Sequence, residues 1–282
     1  MRPGNLKLPT PPWRQRASVA GDAFMKYRQL GDTGIEVSLL GLGTVKLGRD
    51  QGVKYPTAFK IPDDQQALEL IALAEDLGVN LIDTAPAYGS SESRLGGLLQ
   101  GRRQRWVICS KVGEEFVDGQ SYFNFTPEHT RMSVERSLQR LRTDYIDIVL
   151  IHSDGDDMAI LQKEGTLQAL AELKAKGMIR AIGLSGKTVE GAIAALQQGD
   201  VAMVTYNLEH QEEKPVLDYA QAHRKGVLIK KALASGHICV GPHEDPLRKS
   251  MEFVFAHPGV SSAIIGTINP EHFKENVCAL PA

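Results

Sequence analysis

The chain has 282 residues, 42% hydrophobic and 23% charged, with a formal net charge of −2. That composition fills a sizeable core, and the near-neutral charge excludes the basic excess expected of a nucleic-acid or membrane-surface protein. Three cysteines (Cys109, Cys239, Cys278) lack metal-ligand spacing, and no apolar run reaches the roughly 18 residues of a membrane helix. An odd cysteine count fits a reducing compartment, so a cytoplasmic protein with no metal site is expected, and no protein partner is evident.

Residues 1–24 carry Pro3, Pro9, Pro11 and Pro12 with Arg2, Lys7, Arg14 and Arg16, and no acid before Asp22. They contain no apolar signal region, so a disordered leader is expected there and a single domain over 25–282. Residues 26–37 read as a hairpin about Gly31-Asp32-Thr33-Gly34, and 38–43 as a first apolar strand. Residues 65–77 place Leu70, Ile71, Ala74 and Leu77 on one helical face, which Gly78 ends. The unit recurs. Lys176-Gly177 and Lys225-Gly226 each read as a cationic helix end and glycine cap before a short apolar strand. Further strands read at 106–110, 146–151, 201–206 and 262–265, with Thr126-Pro127 and Asn269-Pro270 as helix starts. Eight strand–helix units in about 250 residues predict a (β/α)8 barrel with an N-terminal hairpin, an α/β fold. A doubly wound dinucleotide fold is excluded, because Gly41-Leu42-Gly43 is followed by Thr44-Val45-Lys46 and the third glycine is missing.

In a barrel the chemistry belongs at the C-terminal ends of the strands. Four consecutive strands end in reactive or polar groups: Asp83 with Tyr88 above it, Lys111, His152 and Ser185. Each alone is ordinary, since a strand-end histidine is usually a hydrogen-bonded core residue and a lysine there neutralises a neighbour. Together they make one device. A phenol of pKa about 10 is a poor acid at neutral pH, and an ammonium beside it stabilises the phenolate. Asp83 would keep Lys111 charged, and His152 would orient a carbonyl oxygen near Tyr88.

The segment Asp83-Thr84-Ala85-Pro86-Ala87-Tyr88-Gly89, with Lys111 and Ile151-His152, resembles the Asp/Tyr/Lys/His tetrad of the aldo-keto reductases. The resemblance runs from about Lys26 to Cys278. It implies reduction of an aldehyde or ketone by NADPH, with NADH possible, and a small-molecule carbonyl or alcohol substrate. Tyr88 is then the general acid. The resemblance puts the cofactor along Gly43, Thr44, Ser185, Met203, Lys230, Ser235, Gly236, Gly266, Thr267, His272 and Asn276. Residues 264–270 add a strand running into a helix start, where backbone N–H groups favour phosphate. Several positions depart from the family pattern. Ser185 is followed by Gly186 where the family has asparagine, Met203 replaces a glutamine, and Lys230 replaces an aromatic ring. Gly266 and His272 stand where cations are usual, whereas Asn276 matches. The chain stops soon after Asn276, so an open site bounded by Phe116, Tyr122, Phe123 and Phe125 is expected. Two other readings share the barrel: a Schiff-base lyase using Lys111 or Lys230, and a non-catalytic nicotinamide-binding module.

Overall fold

The structure is a computed structural model that describes residues 25–53, 58–234 and 245–281; the expected leader at 1–24 lies outside them. The first two strands, β1 (Tyr27–Gln29) and β2 (Glu36–Ser38), pair antiparallel with Arg28 opposite Val37. The turn between them is closed by Leu30 N–H donating to Ile35 O at 2.8 Å and by Thr33 Oγ1 donating to Leu30 O at 2.7 Å. Gly31 is required there: its φ is +56°, and a Cβ would lie 2.5 Å from Arg224 O.

The remaining strands are β3 (Leu40–Gly43), β4 (Leu81–Asp83), β5 (Val107–Val112), β6 (Glu114–Val117), β7 (Gln120–Phe123), β8 (Ile146–His152), β9 (Ile179–Ser185), β10 (Val201–Thr205), β11 (Gly226–Lys230) and β12 (Ser262–Ile265). All but β6 and β7 close in parallel into a barrel, β3 beside β12 and the rest in chain order. The connecting helices are α1 (Asp64–Asp76), α2 (Ser91–Leu98), α3 (Pro127–Leu141), α4 (Asp157–Lys163), α5 (Thr166–Ala175), α6 (Val189–Gln198), α7 (Lys214–Ala222), α8 (Pro246–Ala256) and α9 (Pro270–Cys278).

The glycine stops after α1 and α5 act as the sequence predicts. After α1, Gly78 (φ +82°) donates to Glu75 O and Val79 to Ala74 O; after α5, Gly177 (φ +78°) and Met178 repeat the pattern. The third stop is a correction. The left-handed residue after α7 is Arg224 (φ +52°), and Lys225 N–H returns to Ala220 O. Gly226 is instead the first residue of β11, where an added Cβ would lie 2.6 Å from Leu30. A second hairpin, β6–β7, carries part of the expected aromatic rim. Asp118 and Gly119 both have positive φ, the backbone of the two-residue turn that matches strand twist.

Two apolar cores result. One lies between barrel and helices, with Leu70, Ile71, Leu138, Leu170 and Phe273 among its members. The other fills the barrel's interior, where Leu30, Ile35 and Val37 of the hairpin meet Leu81, Ile148, Leu150 and Leu228. The hairpin therefore plugs the N-terminal end, and the polar interior residues collect at the other.

Asp147 ties the outer edge of three strands together. Its carboxylate, 2% exposed, accepts from Ile108 N–H at 3.0 Å, Arg103 at 2.9 Å and Arg180 at 2.6 Å. Asp147→Ala leaves a buried N–H and a largely buried guanidinium without their acceptor, a loss of about 3 kcal/mol. Urea unfolding should show that loss; a variant within about 0.5 kcal/mol of the parent would show the cluster to be dispensable.

Candidate active site

Parallel register sets the site. Asp83 on β4 stands opposite Cys109 on β5, and Lys111 follows two residues on, on the same inward face. Lys111 Nζ donates to Asp83 Oδ1 at 2.6 Å and to Thr84 O at 2.8 Å, with the lysine side chain 1% and the aspartate 5% exposed. Burial pulls the ammonium toward neutrality, but Asp83 and Tyr88 more than offset it and hold Lys111 above the ordinary lysine value. Its Nζ lies 4.7 Å from the centre of the Tyr88 ring, and the Tyr88 hydroxyl reaches Asp83 Oδ2 in a long contact of 3.5 Å. His152, at the end of β8, meets Tyr88 edge to face with ring centres 6.3 Å apart. The four tetrad positions are thus gathered in one polar cluster at the C-terminal mouth.

Three further groups in this cluster were not anticipated from sequence. Glu114 opens β6 directly after the Lys111 strand, and its Oε2 lies 2.7 Å from His152 Nδ1. That contact is at ion-pair distance, short of an aligned hydrogen bond. Burial would raise the Glu114 carboxyl, but His152, the Ser121 hydroxyl and Arg49 bring it down to about 2. Arg49 stacks on Phe116 at 3.3 Å and donates to Ala87 O at 3.1 Å, which steadies the Tyr88 loop. Thr84 O, the second acceptor for Lys111, is a backbone group that no side-chain pattern marks.

The positions implied by the resemblance on the cofactor side spread around the same mouth. Gly43 ends β3 against β12; a Cβ there would sit 3.0 Å from Ile264 and 3.4 Å from Gly266 Cα. Thr44 is buried and donates to Asp83 O at 2.8 Å, so it also anchors the β4 end. Ser185 stands opposite His152 and accepts from Lys230 Nζ at 3.2 Å, while Gly186 O accepts from the same amine at 2.7 Å. Burial, with help from Lys231, pushes half-buried Lys230 down to about 8 against the opposing pull of Glu213. Met203 lies in the apolar interior with Leu228 and Leu81, 2% exposed. Gly266 and Thr267 are half-buried after β12; His272 is exposed on α9. Ser235 and Gly236 lie outside the described residues. Of the expected aromatic rim, Phe125 is buried against Gly113, whereas Tyr122 and Phe123 are exposed on β7.

The residues fit an adenine nucleotide at this end. Asn269 caps α9 with Pro270 behind it, leaving an anion-favouring helix start beside the strand end. Asn276 is 5% exposed; its amide N donates to His272 O, and its Oδ1 is buried without a partner among the described residues. A buried orphan acceptor is costly, and a ligand bringing an N–H donor, as the adenine amino group does, would satisfy it.

A sequence profile of the Aldo/keto reductase family matches residues 39–240. The chain is 34% identical over 219 residues to the aldo-keto reductase YhdN of Bacillus subtilis (strain 168), covering 75% of this chain and 63% of that protein. It is 29% identical to the L-galactose dehydrogenase of Arabidopsis thaliana, covering 91% and 88%. Among solved structures, a Pseudomonas aeruginosa protein assigned to the aldo-keto reductases superposes with a TM-score of 0.83 at 58% identity, covering 91% of this chain and 95% of that one.

The Asp83–Lys111 pair makes a stability prediction with a definite sign. Lys111 is held above its unfolded value of about 10.4, so its contribution is complete below that pH and gives no slope near neutrality. In Asp83→Asn burial wins and the folded value drops below the unfolded one. The unfolded chain then binds more protons, and stability rises with pH between the two values. Urea unfolding from pH 6 to 10 should show a variant destabilised by about 3 kcal/mol at neutral pH that recovers as pH rises. A parallel pair of curves would mean that Lys111 does not depend on Asp83 for its charge.

Proposed function

Because the chain belongs to the aldo/keto reductase family, we propose that it reduces a small aldehyde or ketone with a nicotinamide cofactor, Tyr88 donating the proton. The observation that carries this reading is the placement of the Lys111 ammonium between Asp83 and the Tyr88 ring. The chemistry a reduced nicotinamide would supply when bound is a hydride for the carbonyl carbon. The developing oxygen charge is met by the Tyr88 hydroxyl, which gives up its proton, and the phenolate left behind faces Lys111. Asp83 keeps that lysine charged, and His152 holds the oxygen in place.

Lys111 is a poor candidate for Schiff-base chemistry, since its buried partner holds it as an ammonium. Lys230, lowered to about 8, is the better amine and keeps the lyase reading open. Borohydride trapping of an aldehyde on Lys230 decides it. A pure binding module has no use for a charge-tuned phenol.

The adenine end supports a preference for NADP(H) over NAD(H). Thr267 precedes α9, and His272 and Lys274 lie in its first two turns, although Lys274 already meets Glu271 at 2.8 Å. Histidine replaces the bidentate arginine that a 2′-phosphate favours, so the preference is modest. One relative is a NADH-specific methylglyoxal reductase of Escherichia coli (strain K12), so both cofactors belong in the test.

NADPH and NADH oxidation with a reactive aromatic aldehyde, followed by absorbance, tests the activity. Tyr88→Phe should lower kcat by roughly 100-fold or more while fluorescence titration finds cofactor affinity nearly unchanged. Near-native turnover in the variant would remove Tyr88 from the acid role. His272→Arg should raise the NADPH-to-NADH affinity ratio; an unchanged ratio would place the 2′-phosphate elsewhere.

A further inference from the structure

We propose that Glu114 is a positioning residue of this site, its carboxylate holding His152 by Nδ1 so that Nε2 is the nitrogen left for the substrate oxygen. The inference rests on the reductase reading for its meaning, and on geometry for its content. Glu114 and His152 are 38 positions apart, and β6 brings them to 2.7 Å. The turn that delivers Glu114 is Gly113, at φ +102° with the Phe125 ring packed 2.4 Å from where a Cβ would stand. Only glycine fits there, and its freedom lets the chain leave β5 and enter β6 at that point.

The carboxylate is itself fixed. Ser121 on β7 donates to Glu114 Oε1 at 2.6 Å, and Arg49 Nη1 stands 4.0 Å from the same oxygen. The hairpin is thereby more than a rim: its first residue sets a carboxylate beside His152, and its return strand bonds that carboxylate. Nothing in the family resemblance required an acid at this position.

A carboxylate at one ring nitrogen decides what the other can do. Beside an ionised Glu114, the single proton of neutral His152 belongs on Nδ1, which leaves Nε2 an acceptor. Nε2 then donates to a carbonyl oxygen only when the ring is doubly protonated, and accepts from an alcohol hydroxyl when it is neutral. Glu114 stabilises the doubly protonated form. Burial opposes it, as do Lys111 from β5 and Lys230 from β11, and the balance leaves His152 below its ordinary value. The other groups facing the ring are Tyr88 from the loop after β4 and, behind Glu114, Arg49. Carbonyl reduction should therefore fade as pH rises through the His152 midpoint, and alcohol oxidation should grow through the same midpoint.

The test is nitrogen-15 NMR of the full chain labelled at histidine, with His152→Gln used to identify the resonances. Above its midpoint the parent ring should show the Nδ1–H tautomer. Glu114→Gln should lower the His152 midpoint by roughly one to three pH units, the size of shift an opposite charge at this range produces. The pH limb of kcat/KM for reduction should move by the same amount, and Glu114→Asp should restore part of both shifts. A neutral ring carrying its proton on Nε2 in the parent chain would overturn the proposal, and this readout holds even where the Gln variant does not fold. An unmoved midpoint in a folded Gln variant would overturn it too. The tautomer is read without turnover, so a chain that shows it and reduces no aldehyde refutes the reductase reading and leaves the Glu114 assignment supported.

Discussion

The site depends on one buried ion pair. Lys111 and Asp83 meet at 2.6 Å with almost no access to water, and Thr84 O takes a second ammonium proton. Removing two charges from water costs several kcal/mol for each ion, an outlay that their attraction only about offsets. An apolar pair of similar volume would stabilise a barrel at least as well. The pair is therefore better understood as a means of holding a positive charge under an aromatic ring than as a prop for the fold. Its neighbours are arranged to keep it so: Thr44 donates to Asp83 O from one side, and the Tyr88 hydroxyl approaches the other carboxylate oxygen.

The barrel can hold such a pair because its interior is divided along the axis. At the N-terminal end the hairpin drives Leu30, Ile35 and Val37 into the strands, closing it with apolar side chains. Above that layer, alternation along β4 and β5 turns Asp83 and Lys111 inward where the strands end. Rigid strands thus fix the charged groups, while the β6–β7 hairpin and the Tyr88 loop place Glu114 and Tyr88 beside His152. Arg49 links these two connections, bonded to Ala87 O and stacked on Phe116.

Much of this was legible in the sequence, for identifiable reasons. Asp83, Lys111, His152 and Ser185 announce themselves because each closes an apolar run, and strand ends on one rim of a parallel barrel are neighbours whatever their separation in sequence. Local rules also held where the signal was local: Gly78 and Gly177 cap helices, and Thr126 and Asn269 start them. Gly226 misled because its meaning is tertiary. It makes room for Leu30, and the left-handed turn falls on Arg224, which carries no glycine signature. The Asp118-Gly119 turn was a readable hairpin signal that its charged and aromatic flanks obscured. The Glu114–His152 contact had no such signal, because it exists only once Gly113 has turned the chain and both hairpin and barrel are in place.

The central claim is that Lys111 tunes the Tyr88 phenol through space, and the direct measurement is the titration of that phenol by carbon-13 NMR of ring-labelled tyrosine. Spectra of the parent chain, Tyr88→Phe for assignment and Lys111→Met would be compared in the folded state. With Nζ 4.7 Å from the ring, the phenol should titrate at clearly higher pH once the ammonium is gone. A phenol that titrates at the same pH with and without Lys111, in chains that remain folded, would contradict the account.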